Sequence, residues 1–287
     1  MMKKILSTVF LMTALIWIAD AQIQTPQPSS AGSVSSVVGL TDVTIDYSRP
    51  KAKGRKIYGA GSDFLVPFGE IWRTGANSGT TITFSDDVEV EGKKVAKGSY
   101  LIFTWPGATE WGISLYSDLS IGGNTGGYDA SKEAAKFTVK SEKLGLKVET
   151  LTMAIGDISE DNKTAKVQIA WENTSVKFGV TVDYDAKVMK AIEENTKVNP
   201  NNLIASAQYY YTNNKDLAQA LKWTNEYLAI GNNSNQYWNV YLKAQIQKAL
   251  GDKKGAEASA KASMELATKA KNTAYIKNNE ELIKSLK

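Results

Sequence analysis

Between residues 41 and 183, apolar and polar side chains alternate with a period of two, in short runs broken by turn residues. Residues 41–48 (TDVTIDYS) set Val43, Ile45 and Tyr47 against Asp42, Thr44 and Asp46, the mark of a strand with one buried face. Residues 80–84 (TTITF) repeat the pattern with Ile82 and Phe84. Residues 88–95 (VEVEGKKV) read as a hairpin turning at Glu91-Gly92-Lys93. Residues 100–105 and 110–116 pair across Pro106-Gly107. Further strands are predicted over 136–140, 148–155, 164–171 and 175–183, with hairpin tips at Asp161-Asn162 and Glu172-Asn173-Thr174. Many short strands joined by turns predict an antiparallel β-sandwich or barrel-like domain over residues 37–183.

The period changes at Tyr184. Ala, Lys, Glu, Leu and Asn dominate, and β-branched residues thin out. Helices are predicted over 185–197, 203–211, 216–230, 236–250, 255–270 and 273–286, with breaks at Asn213-Asn214 and Gly251-Asp252. The segments NKDLAQAL (214–221) and DKKGAEAS (252–259) match as a polar turn followed by small residues on a helix. The resulting helical hairpins over 184–287 resemble the tetratricopeptide family, although its Trp-x-x-Leu-Gly opening and closing Pro are not cleanly present. The three consecutive tyrosines, Tyr209 to Tyr211, cannot all face one side of a helix, so part of that run is expected near the surface.

Upstream of the strands, Lys3 and Lys4 precede an apolar run over 5–18 and an Ala19-Asp20-Ala21 cleavage pattern. Residues 1–21 therefore read as a secretory signal, too short in its apolar part to span a bilayer. Residues 22–36 (QIQTPQPSSAGSVSS) read as a flexible linker. The expected destination is the periplasm or the exterior, with no membrane span after cleavage.

Composition narrows the chemistry. The chain holds 43% hydrophobic and 22% charged residues, an ordinary globular balance. A net charge of +4 without a long basic run argues against a nucleic-acid partner. There is no Cys and no His. That removes disulfides, thiol nucleophiles, lipidation at a cysteine, a Ser–His–Asp relay and thiolate or imidazole metal sites. No cofactor and no metal are expected, although an all-oxygen cation site stays chemically open. The glycine-rich stretch LSIGGNTGGY (119–128) lacks the spacing of a phosphate-binding loop.

The stretch VPFGEIWRTGANSGTT (66–81) stands out because it sets Trp72, Arg73, Asn77 and Thr80 among three glycines between two strands. A connection of ordinary kind needs turn residues, not an adjacent Trp and Arg. A second cluster, RPKAKGRKIYG (49–59), adds Arg49 and Arg55, planar donors suited to carboxylate, sulfate or phosphate. One reading buries Trp72 in the core and ties Arg73 to Asp63, Glu70 or another acid. The other brings Arg49, Arg55 and Arg73 together around a small anionic or carbohydrate ligand, with Asn77 orienting it. Trp105, Trp111 and Trp171 read first as core and second as a platform for sugar rings. Three functions follow: a binding module whose helical tail contacts a protein partner, a scaffold whose motif serves only the fold, and a carboxylate hydrolase or lyase using Asp63, Glu70 and Glu110.

The segments YSRP, KGRKIYG, VPFGEIWRTGANSGTTITF, VEGKKVAKGSYLIFTWP and EWGISLY resemble a bacterial family known only as domain-of-unknown-function family 2911, over residues 37–183. WRTGAN is the most specific piece. The resemblance implies an exported protein of Bacteroidetes-type bacteria. It places Arg49, Pro50, Gly54, Arg55, Trp72, Arg73, Gly75, Asn77 and Thr80 in the family motif, and it brings no reaction with it.

Overall fold

The computed structural model describes residues 25–196 and 198–287. The expected leader over residues 1–21 lies outside the described residues. The chain divides into two compact units, one ending at Tyr184 and one spanning Asp185–Lys287.

The first unit is antiparallel β-structure built on one continuous strand order. Its strands are β1 (Ser30–Val38), β2 (Thr41–Arg49), β5 (Thr81–Phe84), β6 (Val88–Val90), β7 (Lys93–Val95), β8 (Gly98–Trp105), β9 (Glu110–Tyr116), β10 (Glu133–Gly156) and β11 (Thr164–Val182). They pair in the order β1-β2-β5-β8-β9-β10-β11-β6-β7. A two-stranded parallel pair, β3 (Tyr58–Gly59) and β4 (Val66–Pro67), lies outside it. The sheet folds over along β10, which pairs with β9 through Lys140 and with β11 from Ser141. Val43, Ile45, Ile82, Trp111, Ile113, Met153, Val167, Trp171 and Phe178 then share one core. Beyond β2, Leu151 N–H donates to Pro50 O at 2.9 Å and Ala52 N–H to Glu149 O at 2.7 Å. These contacts bring β2 against the far half of β10, yet the sheet does not close into a barrel.

Two segments depart from the sequence-based expectation. Residues 30–36, expected as linker, belong to β1: every residue of that strand pairs with β2, from Ser30 opposite Arg49 to Val38 opposite Thr41. The strand is serine-rich because it lies at an edge, where Ser35 and Thr44 hydroxyls meet at 3.0 Å. Gly39, at φ +59°, makes the tight turn into β2. The predicted hairpin at Glu172-Asn173-Thr174 is likewise absent. Glu172 does take a left-handed φ of +54°. It sits opposite an irregularity in β10, whose register jumps between Lys143 and Val148 and again before Thr152. Burial of Trp171 before it and Val176 after it keeps β11 running straight through, while the extra residues at the irregularity bulge from β10.

The second unit contains α1 (Asp185–Asn195), α2 (Pro200–Thr212), α3 (Leu217–Leu228), α4 (Tyr237–Ala249), α5 (Lys253–Lys269) and α6 (Thr273–Lys284). Side chains of Asn199, Asp216, Asp252 and Asn272 cap α2, α3, α5 and α6 by accepting from first-turn amides. Pro200 occupies the first turn of α2, where its missing N–H costs nothing. Small residues sit at the crossings: Ala207 and Ala220 with Leu242 and Ile246, then Ala244, Ala256 and Ala260 with Leu282. Among the described residues, no helix is long and apolar enough to cross a membrane.

Candidate functional site

The WRTGAN loop is a closed excursion from the edge of β8. Trp72 and Thr104 exchange backbone hydrogen bonds of 2.8 and 2.9 Å. The chain leaves the sheet at Arg73 and rejoins it at Thr80, whose carbonyl accepts from Ile102 N–H at 2.8 Å. Thr80 is buried, and its hydroxyl donates to Thr74 O at 2.6 Å, clamping the neck of the loop. The Thr74 hydroxyl lies 3.2 Å from Thr104 Oγ1, and the Trp72 indole N–H donates to Gly75 O at 3.2 Å. Thr74 is fully buried at φ +58°, a conformation a β-branched residue adopts only when its surroundings enforce it. The loop is thus held in one shape by its own hydrogen bonds.

Its side chains diverge as alternation along an extended chain requires. Trp72 turns inward to an aromatic cluster with Tyr58, Trp111 and Trp171. Arg73 turns toward the glycine-rich stretch 119–128. That stretch holds two 3-10 turns, capped by Asp118 and Asn124, and a third, capped by Asp129, follows at Ala130–Lys132. A Cβ placed on Gly123 would lie 2.5 Å from Arg73 Cδ and 2.9 Å from Asn77 O, so only glycine allows the approach. Asn77, exposed at φ +56°, donates through Nδ2 to Ser29 O at 3.1 Å and Ser48 Oγ at 3.2 Å. The loop is thereby fastened to the start of β1 and the end of β2.

The three arginines fare differently. Arg55 staples its own turn, its Nε and Nη2 donating to Ala52 O at 3.1 Å and Lys51 O at 2.6 Å. Arg49 packs against Gly32 on β1, where an added Cβ would meet its Cδ at 2.7 Å. The Nε groups of Arg49 and Arg73 are both buried without an acceptor. None of the three is in an ion pair with a described residue, so the expected tie of Arg73 to Asp63 or Glu70 does not form. Nor do the three line one pocket among the principal cavities. A depression of about 590 Å³ is lined by Gly32, Asp46, Ser48, Ser78 and Gly79, and by none of the three arginines. Asp63, Glu70 and Glu110 are exposed and line no such cavity.

Sequence reasoning did not single out Tyr58. Its ring centroid lies 4.9 Å from that of Trp111, and both the Tyr58 hydroxyl and the Trp111 indole N–H are buried without a partner. Burial, with Glu172 adding to it, pushes the Tyr58 phenol well above its ordinary range, so it stays a donor. Trp105 does not join this core. It faces a second aromatic cluster with Tyr128, and Lys136 Nζ lies 4.4 Å above its ring.

The model of a family described as "Protein of unknown function (DUF2911)" matches residues 29–180, more than half of the chain. The protein belongs to this family. The match takes in β1, which the resemblance drawn from motifs alone left out, and covers the loop, all three arginines and Tyr58. No curated protein and no solved structure matches the chain.

Proposed function

We propose that the protein is an exported binding module whose β unit holds a small oxyanion at the WRTGAN loop, while its helical tail contacts a protein partner. The observation that carries the first part is the pair of buried, unpartnered guanidinium Nε groups of Arg49 and Arg73, neither side chain being in an ion pair with a described residue. A buried charge-bearing donor without an acceptor is costly, and an arriving oxyanion relieves that cost. The fixed shape of the loop means that little ordering remains to be done on binding. The hydroxyls of Ser48 and Ser78 and the amide of Asn77 lie close by, suiting a ligand with several oxygen atoms.

For the tail, support comes from a groove of about 860 Å³ in which Met189, Tyr210 and Trp223 lie among Lys190, Lys222 and Glu226. Mixed apolar and charged walls of this kind suit a peptide segment better than a small molecule. Retention of a defined partner by residues 185–287, lost in Trp223→Ala, is the expected result for that part.

The deciding experiment for the anion is thermal unfolding with increasing inorganic phosphate or sulfate at constant ionic strength. A saturable rise in melting temperature is expected, absent in Arg73→Met and in Arg49→Met. If both variants fold and respond to phosphate like the parent, the motif serves the fold alone and the scaffold reading takes over.

A further inference from the structure

A different cavity, of about 520 Å³, opens where the β8–β9 turn meets the middle of β10 and Asn173-Thr174 of β11. Its volume is that of a small-molecule site. Tyr58 and Phe68 supply aromatic wall, Asn173 and Thr174 supply polar groups, and Lys140 and Lys143 supply positive charge. Neither lysine is in an ion pair with a described residue. Glu142 is the one carboxylate in the wall, an acceptor for ligand hydroxyls.

Tyr58 connects this wall to the interior. Its ring packs edge-on against Trp72, Trp111 and Trp171, at centroid distances of 5.8, 4.9 and 6.1 Å, so it is held rigidly. Its hydroxyl is the buried donor with no acceptor among the described residues. Aromatic faces bind the apolar side of a sugar ring, hydroxyl and amide groups bind its edges, and ammonium groups bind an acid substituent.

We propose that this cavity binds an acidic monosaccharide of the hexuronic acid class, its ring against Tyr58 and Phe68 and its carboxylate toward Lys140 and Lys143. The site is distinct from the proposed oxyanion site, since none of Arg49, Arg55 and Arg73 lines it. The three tryptophans around Tyr58 supply the signal. Titration of the full secreted chain with glucuronate should give a saturable change in tryptophan emission, and glucose should bind at least about tenfold more weakly. The double variant Lys140→Met, Lys143→Met, altering surface side chains only, should weaken glucuronate about tenfold or more. Tyr58→Phe should weaken it to a similar degree, with its fold checked by urea unfolding. Arg73→Lys should leave the titration unchanged, which separates this site from the phosphate test. A flat titration, equal affinity for glucose, tighter binding of benzoate than of glucuronate, or an unaffected double-lysine variant would overturn the proposal.

Discussion

The indole of Trp72 lies almost parallel to that of Trp171, with centroids 5.9 Å apart and planes inclined by 16°. One ring comes from the WRTGAN loop and the other from β11, 99 positions along the chain (171 − 72). This stack, rather than any ion pair, anchors the loop to the core. It also explains the neighbouring Arg73: with Trp72 committed inward, Arg73 is directed to the opposite side, under Gly123.

The loop's neck depends on one hydroxyl. Thr80→Val keeps shape and strand preference but removes the 2.6 Å bond to Thr74 O inside a buried site. A loss of about 1–3 kcal/mol is expected, because the carbonyl stays buried without its donor. Thr80→Ser should recover most of it. Urea unfolding of the three proteins measures the difference; a Thr80→Val variant as stable as the parent would show that the clamp is dispensable.

How much of this was legible beforehand follows from range of interaction. Strands such as β2 and β5 were readable because Val43, Ile45, Ile82 and Phe84 alternate locally, and burial on one face follows from alternation alone. Helix starts were readable because Asp216, Asp252 and Asn272 are short-range caps. The edge strand β1 was missed because serines mask its inward positions Val34 and Val38, and only pairing with β2 reveals it. At Glu172, turn-forming residues lost to the burial of Trp171 and Val176. The residues of the loop could be named, but the fate of each arginine depended on distant contacts. Arg55 bonds its own turn, Arg49 meets Gly32, and Arg73 meets Gly123. Tyr58 went unnoticed because only the convergence of three strands and a loop shows its hydroxyl to be unpartnered.

Close packing of two loops makes Gly79 sensitive. A Cβ there would lie 2.7 Å from Gly122 O and 2.6 Å from Leu101 Cδ2. The first obstacle is backbone and cannot rotate aside. Gly79→Ala should therefore destabilise the β unit by about 1–3 kcal/mol. Gly126→Ala serves as control, since the nearest atom, Asn124 Oδ1, is 3.4 Å from the added carbon and belongs to a side chain. Equal unfolding midpoints for the two variants would refute the contact.

Acid should loosen the stretch that covers Arg73. The hydrogen bond and ion pair with Lys132 at 2.7 Å, helped by Ser120, lower the Asp118 carboxyl from 3.8 to about 2. A depressed folded value means that this contribution is complete above the unfolded value of 3.8 and is lost as the pH falls through about 2. The group is exposed, so the expected effect is local opening rather than unfolding. Exchange of the Ser120 amide, which donates to Asp118 Oδ1 at 3.0 Å, should accelerate across that window once corrected for intrinsic rates. In Asp118→Asn the pH dependence should vanish.

Tyr47 gives the sharpest test of how the folded-over sheet is held. It lies on β2, and its phenol oxygen accepts the backbone N–H of Met153 on β10 at 3.0 Å in a buried setting. The bonds from Leu151 to Pro50 and from Ala52 to Glu149 continue the same junction toward the basic turn. Tyr47→Phe keeps the ring and its packing but leaves a buried amide without an acceptor. The cost should be about 1–3 kcal/mol, more than the loss of an exposed hydrogen bond. Because the sheet does not close into a barrel, this junction has no continuous ladder to take up the load. Hydrogen exchange at Met153, Leu151 and Ala52 should rise together in the variant while amides of β8 and β9 stay protected. If Met153 alone responds, the phenol caps one amide and the two halves of the sheet are held by core packing instead.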